Sequence, residues 1–457
     1  MESATQPENV MDAITSLAKR RGFIFPSGEI YGGISGFWDY GPLGVELRRN
    51  IRDAWWAYMV QNRDDVVGLD SAIITHPETW VASGHVEHFH DEMVDCRNCK
   101  RRFKVEAVDE GRCPFCGSSD LTESRPFHLM MKTTVGALED DTSIAYLRPE
   151  TCQPIFTDFD LIRQTARLKL PFGVAQVGKA FRNEINPRNF TARSREFEQM
   201  EMEFFCRAEE APKWFEHWKN YRWEWYQRIG FKRENLRFRE HEHKELAHYA
   251  AKAVDIEFNF PFGWMEFEGI HNRTDYDLKR HTQTSGKVLE YYDEDTKEHI
   301  TPYVIETSAG LDRILLALLC DAYFVDKAPT GAEARQAGRE EEEERIVLRF
   351  SPLIAPVKVA VFPLRRKLAA EALKIYRTLK KLMPADYDET GSIGKRYRRQ
   401  DEVGTPWCVT FDFESLEDKK VTIRDRDTLK QERVPIDDVP ALLKERLEKA
   451  RADLLAD

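Results

Sequence analysis

Residues 195–205, REFEQMEMEFF, constrain the fold more than any other stretch of this chain. As a strand they put Phe197, Gln199, Glu201 and Glu203 on one face and Glu198, Met200, Met202 and Phe204 on the other. The second face is mostly apolar and suits a core. The first carries acids into whatever covers it. The stretch before, GVAQVGKAFRNE, is also strand-like, with Arg182 and Glu184 on a shared face. Between the two lies NPRNFTARS, a loop made basic by Arg188 and Arg193. The expectation is an antiparallel hairpin with arginines, glutamates and one phenylalanine on an exposed face. Alone, such a face is either a solvated surface of paired charges or a site.

Two further stretches favour a site. TPYVIETSAGLDRILLALL reads as strand, small-residue turn and helix, with Leu311, Ile314, Leu315, Leu318 and Leu319 at helical spacing. Asp312 and Arg313 fall in its first turn, where an arginine opposes the helix dipole and is better explained by an anionic or π-faced ligand. GWMEFEGIHNRTDYDL gathers Glu266, Glu268, Arg273, Asp275 and Asp277 around one strand.

At 457 residues the chain is too long for one ordinary core. Residues 326–345 lose apolar periodicity, end in glutamates 340–344, and read as a solvated linker. SPLIAPVKVAVFPL follows as a buried strand, so a domain boundary is expected near 345–352. Residues 66–75 are a strand candidate, residues 210–230 a tryptophan-rich helix, and residues 92–125 an inserted polar module. No apolar run approaches the length of a membrane span. Met1 to Val10 are polar and acidic, unlike a signal or transit peptide. The net charge of −11 means that a nucleic-acid partner must meet a local basic face. Lys395, Arg396, Arg398 and Arg399 beside Tyr397 offer one, able to meet a phosphate backbone and stack an unpaired base, if they are more than a solvated loop.

Cys96-x2-Cys99 and Cys113-x2-Cys116 are separated by thirteen residues. Two such knuckles can set four thiolates around one structural zinc ion; the alternatives are reduced surface thiols or two disulfides. Arg97, Lys100, Arg101, Arg102 and Arg112 would offset the thiolate charge. Cys152, Cys206, Cys320 and Cys408 stand singly among apolar neighbours, as in a protein of the reducing cytosol.

In this order, FRNE, RxREFEQMEMEFF and PYVIExSAGxDR, the chain resembles the class II aminoacyl-tRNA synthetases, and among them the dimeric glycyl-tRNA synthetases. FPSGEIYGG, DYGPLGVELRRNI, ASGHVEHFHDEMVDC, YLRPETCQPIF and IGKRYRRQDEVGTPWCVTFDF extend the resemblance over almost the whole chain. It implies an α+β fold: an antiparallel sheet flanked by helices in a catalytic domain, residues 1–345, with a zinc-ribbon insert at 92–125. An α/β anticodon-binding domain would occupy residues 346–457. It implies ATP-dependent attachment of glycine to tRNA(Gly) through an adenylate and the 3′-hydroxyl, magnesium with ATP, no membrane, and a homodimer through Pro42 to Pro77. Trp55, Trp56 and the strand 66–75 would supply that interface with apolar surface.

The resemblance also assigns residues. Arg182, Asn183 and Glu184, the return residues Arg193, Ser194, Arg195, Glu196 and Phe197, the pair Glu266 and Phe267, and Gly310, Leu311, Asp312 and Arg313 would contact ATP. Arg182, Glu184 and Arg313 would be catalytic, with Phe197 and Arg313 sandwiching the adenine. Glu184, Glu266 and Glu196 are the magnesium candidates. Lys104, Glu150, Phe197, Glu198, Gln199, Met200 and Glu201, with Glu306, Thr307, Ser308, Ala309 and Gly310, would form the amino-acid pocket. Within it Glu150, Glu201 and Glu306 would hold the substrate ammonium. Lys104 stands where the family has arginine, Cys152 and Pro154 where it has alanine and glycine, Thr307 where it has proline, and Ala192 where it has phenylalanine. The rival readings are the same chemistry with serine, threonine or proline, and a non-catalytic nucleic-acid-binding relative.

Overall fold

The computed structural model describes residues 10–137, 143–242, 244, 246–247, 249–329 and 342–456. Its larger unit is built on seven strands: β1 (Val66–Gly68), β2 (Phe172–Phe181), β3 (Glu196–Cys206), β4 (Leu236–Glu240), β5 (Lys252–Phe260), β6 (Gly263–Thr274) and β7 (Tyr303–Gly310). Their spatial order is β4-β5-β6-β7-β3-β2-β1. Every neighbouring pair is antiparallel except β1, which runs parallel to β2 at the edge. The helices that matter here are α1 (Val10–Arg21), α2 (Pro42–Trp56), α3 (His85–His88), α4 (Ala211–Arg228) and α5 (Leu311–Ala322).

Alternation along β3 sorts the molecule into a core side and a site side. Met200, Met202 and Phe204 lie in the main apolar core with Phe215, Trp218 and Trp225 of α4 and Ile314 and Leu315 of α5. Gln199 and Glu201 point the other way, toward Ser308 of β7. At the far end of that second face Phe205 is closed over by Phe156, Phe159 and Phe172. The chain enters α2 through Pro42, and Gly44 lets the helix press on the preceding loop: a Cβ there would sit 1.9 Å from the carbonyl oxygen of Phe23.

α4 is fastened to the sheet by a buried ion pair. Arg222 donates through Nε to Glu268 Oε1 at 2.6 Å and through Nη2 to Oε2 at 3.0 Å, and Tyr226 donates its hydroxyl to the same carboxylate. Both charged side chains are wholly buried. This pair fixes β6 beside the cavity described below.

A second core lies in the C-terminal unit. Strands β8 (Val359–Pro363), β9 (Ala385–Tyr387), β10 (Trp407–Phe411), β11 (Lys420–Asp425) and β12 (Gln431–Pro435) form a mixed sheet in the order β9-β8-β10-β11-β12. Helices α6 (Ala369–Lys380), α7 (Ile393–Val403) and α8 (Val439–Leu455) accompany it, and Leu454 of α8 returns to the main core. The insert is a three-stranded sheet of His90–Asp95, Arg102–Lys104 and Arg125–His128, slightly wider than the 92–125 expected. No helix among the described residues is long and apolar enough to cross a membrane.

Four expectations need correction. The strand expected at 66–75 is continuous only over Val66–Gly68; Gln176 and Arg148 hold the backbone and hydroxyl of Ser71, and Ile74 makes an isolated bridge to Leu147 instead. Trp55 is consumed by the chain's own core and Trp56 lies over Gly68, so neither supplies the free apolar surface expected at an interface. The supposed linker holds a hairpin, Tyr323–Pro329 with Glu342–Leu348. Arg345, buried and paired with Asp326 and Asp401, organises the hairpin, so charge rather than apolar periodicity marks it. Residues 330–341, the middle of the expected linker with Glu340 and Glu341, lie outside the described residues. In the basic cluster, Arg396 is buried on the carbonyls of Glu389 and Gly391. The Tyr397 ring packs on Phe362 and its hydroxyl meets Thr410 at 2.7 Å. That ring is unavailable for stacking a base.

Arg222→Met removes one partner of a fully buried pair and should cost about 3 kcal/mol or more, read by chemical denaturation. Adding Glu268→Leu to it should recover most of the loss.

Candidate active site

A solvent-open cleft of about 1020 Å³ lies on the polar side of the sheet, lined from β3, β6, β7, the loop after β2 and the start of α5. Of the residues expected in the site, it brings together Glu150, Arg182, Glu184, Arg193, Ser194, Phe197, Gln199, Glu201, Glu266, Phe267, Glu306, Ser308, Gly310, Asp312 and Arg313. Others stand elsewhere. Glu198 and Met200 are on the opposite face of β3, where Arg48 pairs with Glu198 at 2.8 Å and Met200 is in the core. Thr307 and Ala309 alternate away from the cleft on β7, and Leu311 is a core residue of α5. Glu196 pairs with Lys179. Arg195 donates to the carbonyls of Glu184 and Ser35, and Asn183 is tied by its backbone to Leu129. Lys104 is held by Asp91 at 2.6 Å inside the insert.

One end of the cleft is acidic and buried. Glu201 accepts from Thr151 N at 2.9 Å and from its hydroxyl, from Gln199 Nε2 at 2.8 Å and from Ser308 Oγ at 2.5 Å. All four donors are neutral. Burial, with Glu306 and Glu150 nearby, pushes the Glu201 carboxyl up to about 7. Glu306 differs. Burial would raise it, but Arg273 Nη1 at 2.6 Å and His271 Nδ1 at 2.7 Å outweigh that and hold it below the usual carboxylate range. For Glu150, burial is again overcome, chiefly by His85 with Nε2 3.4 Å away, and the carboxyl is held well down. Glu203, next along β3, is fully buried and neither oxygen has a hydrogen-bond partner among the described residues. Burial and Glu306 push its carboxyl well above the usual carboxylate range.

The other end is cationic. Arg182 donates through Nε to the carbonyl of Pro149 at 3.1 Å, and its guanidinium lies 5.3 Å from the Phe197 ring centre. Among the described residues no carboxylate lies within 4.0 Å of it. Arg313 is held by the carbonyl of Ala192 at 2.9 Å and by Glu266 Oε1 at 2.7 Å. Asp312 turns inward, accepting from the amide of Glu198 at 2.6 Å, from the Tyr40 hydroxyl, and from Arg48 at 3.3 Å. It lines the cleft but is engaged in joining α2, β3 and α5.

The cysteine cluster fits a tetrahedral metal. Cys96 and Cys116 sulfurs are 3.6 Å apart and those of Cys99 and Cys113 are 3.7 Å apart, far beyond disulfide bonding. A tetrahedron of sulfurs about 2.3 Å from zinc has edges of roughly 3.8 Å. Backbone amides of Cys99 and Phe115 point at Cys96 and Cys113 sulfurs, as suits thiolates.

Residues 137–322 match the family model described as tRNA synthetase class II core domain (G, H, P, S and T), and residues 358–446 match Anticodon binding domain. Glycine--tRNA ligase of Caldanaerobacter subterraneus subsp. tengcongensis is 51% identical over 465 residues, covering 96% of this chain and 98% of that protein. Glycine--tRNA ligase of Treponema denticola is 52% identical over 433 residues, covering 93% and 94%. That of Streptomyces coelicolor is 49% identical over 459 residues, covering 96% and 98%. The chain belongs to the glycine--tRNA ligase family.

Several residues of this glycine--tRNA ligase cleft were not legible in its motifs. His271 and Arg273 share a face with Gly269 only after a bulge: Glu257 pairs with Glu266 and Ile256 with Glu268, so Phe267 is extra and the parity of β6 flips. His241 and Tyr249 come from segments whose sequence carries no periodic signal toward the cleft. Two clues were available: the alternation of β5, with Val254, Ile256 and Phe258 in the core and Asp255 and Glu257 between them, and that of His271 and Arg273 downstream of a glycine.

Glu201 gives a pH-dependent test of this geometry. Its folded carboxyl holds a proton more tightly than the unfolded one, so stability falls as pH rises from about 4.5 to about 7. Glu201→Gln abolishes that loss. The gain in stability should be larger at pH 8 than at pH 5, by up to about 3 kcal/mol. Gln199, whose buried Oε1 has no partner among the described residues, can turn to accept from the introduced amide. Equal effects at both pH values would mean that the carboxyl titrates normally.

Proposed function

We propose that this glycine--tRNA ligase activates glycine in the described cleft and transfers it to the 3′-hydroxyl of tRNA(Gly). A glycine carboxylate oxygen attacks the α-phosphorus of ATP and pyrophosphate leaves. The terminal ribose hydroxyl of tRNA then attacks the adenylate carbonyl and AMP leaves. Neither step needs a side-chain nucleophile, so positioning and charge stabilisation carry the catalysis. The observation that carries the reading is the division of one cleft into a cationic end at Arg182 and Arg313 and an acidic end at Glu150, Glu201 and Glu306.

Arg182, with no carboxylate partner among the described residues, takes the α-phosphate as a fork of donors. Phe197 and Arg313 face the adenine. Glu201 is the acid with neutral donors alone, so the substrate ammonium is the cation it lacks; Glu150 supports it, while Glu306 is already committed to Arg273. Only glycine needs no room beyond its α-carbon, so crowding there rejects larger amino acids. Glu184 and Glu266 line the cleft and fit the magnesium that accompanies ATP, each now paired with an arginine. Magnesium neutralises phosphate charge when bound. Glu196, turned to Lys179, does not fit.

Cys96, Cys99, Cys113 and Cys116 hold one structural zinc ion in the insert. The catalytic domain is residues 1–345 and the anticodon-binding domain 346–457. The reading extends to a cytoplasmic homodimer through the segment from Pro42 to Pro77, where Val45, Ile73 and Ile74 remain exposed. Arg182→Ala should leave the fold intact and slow glycine-dependent pyrophosphate exchange by about a hundredfold or more, on the order of 3 kcal/mol. Near-normal exchange would remove Arg182 from this role.

A further inference from the structure

We propose that Phe89 and His85, at the root of the insert, are positioning residues for the activation step: Phe89 fixes the guanidinium of Arg182, and His85 fixes the carboxylate of Glu150. The proposal rests on reading Arg182 as the phosphate contact. Neither residue lines the cleft. Both stand directly behind residues that do.

The guanidinium of Arg182 is flanked by two rings, Phe197 at 5.3 Å and Phe89 at 5.5 Å. Among the described residues its one hydrogen bond to a protein group runs from Nε to Pro149, which leaves the direction of the fork to those rings. Phe89 is itself pinned. Its carbonyl accepts from Leu129 N at 3.1 Å, and the carbonyl of Leu129 accepts from Asn183 N at 2.8 Å. The chain entering the insert and the chain leaving it are thus knitted to the residue next to Arg182. His85 ends a parallel route. It meets Ser83 Oγ through Nδ1 at 2.8 Å and Glu150 through Nε2 at 3.4 Å. Its ring touches Phe89 edge-on at 5.4 Å and Trp80 at 5.6 Å. One short segment therefore sets both a phosphate-binding and an ammonium-binding group, and its two rings bear on each other.

Glycine-dependent pyrophosphate exchange on the full-length protein tests this. Phe89→Leu should lower kcat by about tenfold with the glycine KM nearly unchanged, and Phe89→Trp, which keeps a ring, should stay within about threefold of the parent. On an Arg182→Ala background Phe89→Leu should cost almost nothing more, since the residue acts through Arg182. His85→Asn should instead raise the glycine KM by about fivefold or more and spare kcat. Additive losses for Phe89→Leu with Arg182→Ala, or no recovery with Phe89→Trp, would overturn the proposal, as would a His85→Asn change in kcat alone. If Phe89→Leu does not fold, Phe89→Met is judged by the same criteria. Near-normal exchange by Arg182→Ala would instead contradict the phosphate reading beneath it.

Discussion

A buried carboxylate that takes hydrogen bonds from neutral donors alone is the constraint around which this molecule is arranged. Glu201 sits on a central strand of the large sheet, surrounded by neutral donors and by other acids. An ion in that position is costly to desolvate. The cost is tolerable because the opposite face of the same strand is mostly apolar and holds the sheet in place through Met200, Met202 and Phe204. Burial pushes the Glu203 carboxyl well up, and Glu306 is accommodated by Arg273 and His271. What distinguishes Glu201 is that its hydrogen-bond donors among the described residues are all neutral.

A second buried acid organises the other end. Asp312 gathers Tyr40, Arg48 and the amide of Glu198, so α2, β3 and α5 meet at one carboxylate. The residue after it, Arg313, is thereby delivered to the cleft. An arginine in the first turn of a helix is unfavourable for the helix dipole, and here Glu266 and the carbonyl of Ala192 receive it. One turn serves both: its buried acid holds the architecture and its neighbouring base lines the cleft.

Alternation made the central strand readable. REFEQMEMEFF sorts its side chains by parity, and Glu201 and Met200 fall where period two puts them. The same parity removes Glu198, Met200, Thr307 and Ala309 from the cleft, although the resemblance had drawn them in as continuous stretches. Parity failed on β6, where a bulge at Phe267 exchanges the faces, so Arg273 was grouped with Glu266 by charge alone and His271 was missed. The hairpin at Tyr323–Leu348 was invisible because its strands are organised by buried arginine and not by apolar periodicity. The basic run at 395–399 misled for a related reason: composition cannot tell Arg396 buried on carbonyls from an arginine offered to phosphate. His85 and Phe89 stand far from Arg182 in sequence, and only the folded insert brings them behind it.

The central claim is that Glu201 is the counter-charge of the substrate ammonium. It is tested most directly by steady-state pyrophosphate exchange with Glu201→Gln, measuring the glycine and ATP dependences separately at pH 8. The side-chain shape is kept and the charge removed. The account predicts that kcat/KM for glycine falls by about tenfold or more while the KM for ATP stays near that of the parent protein. Equal damage to both substrates would contradict it, and would mean that Glu201 serves the strand and not the substrate.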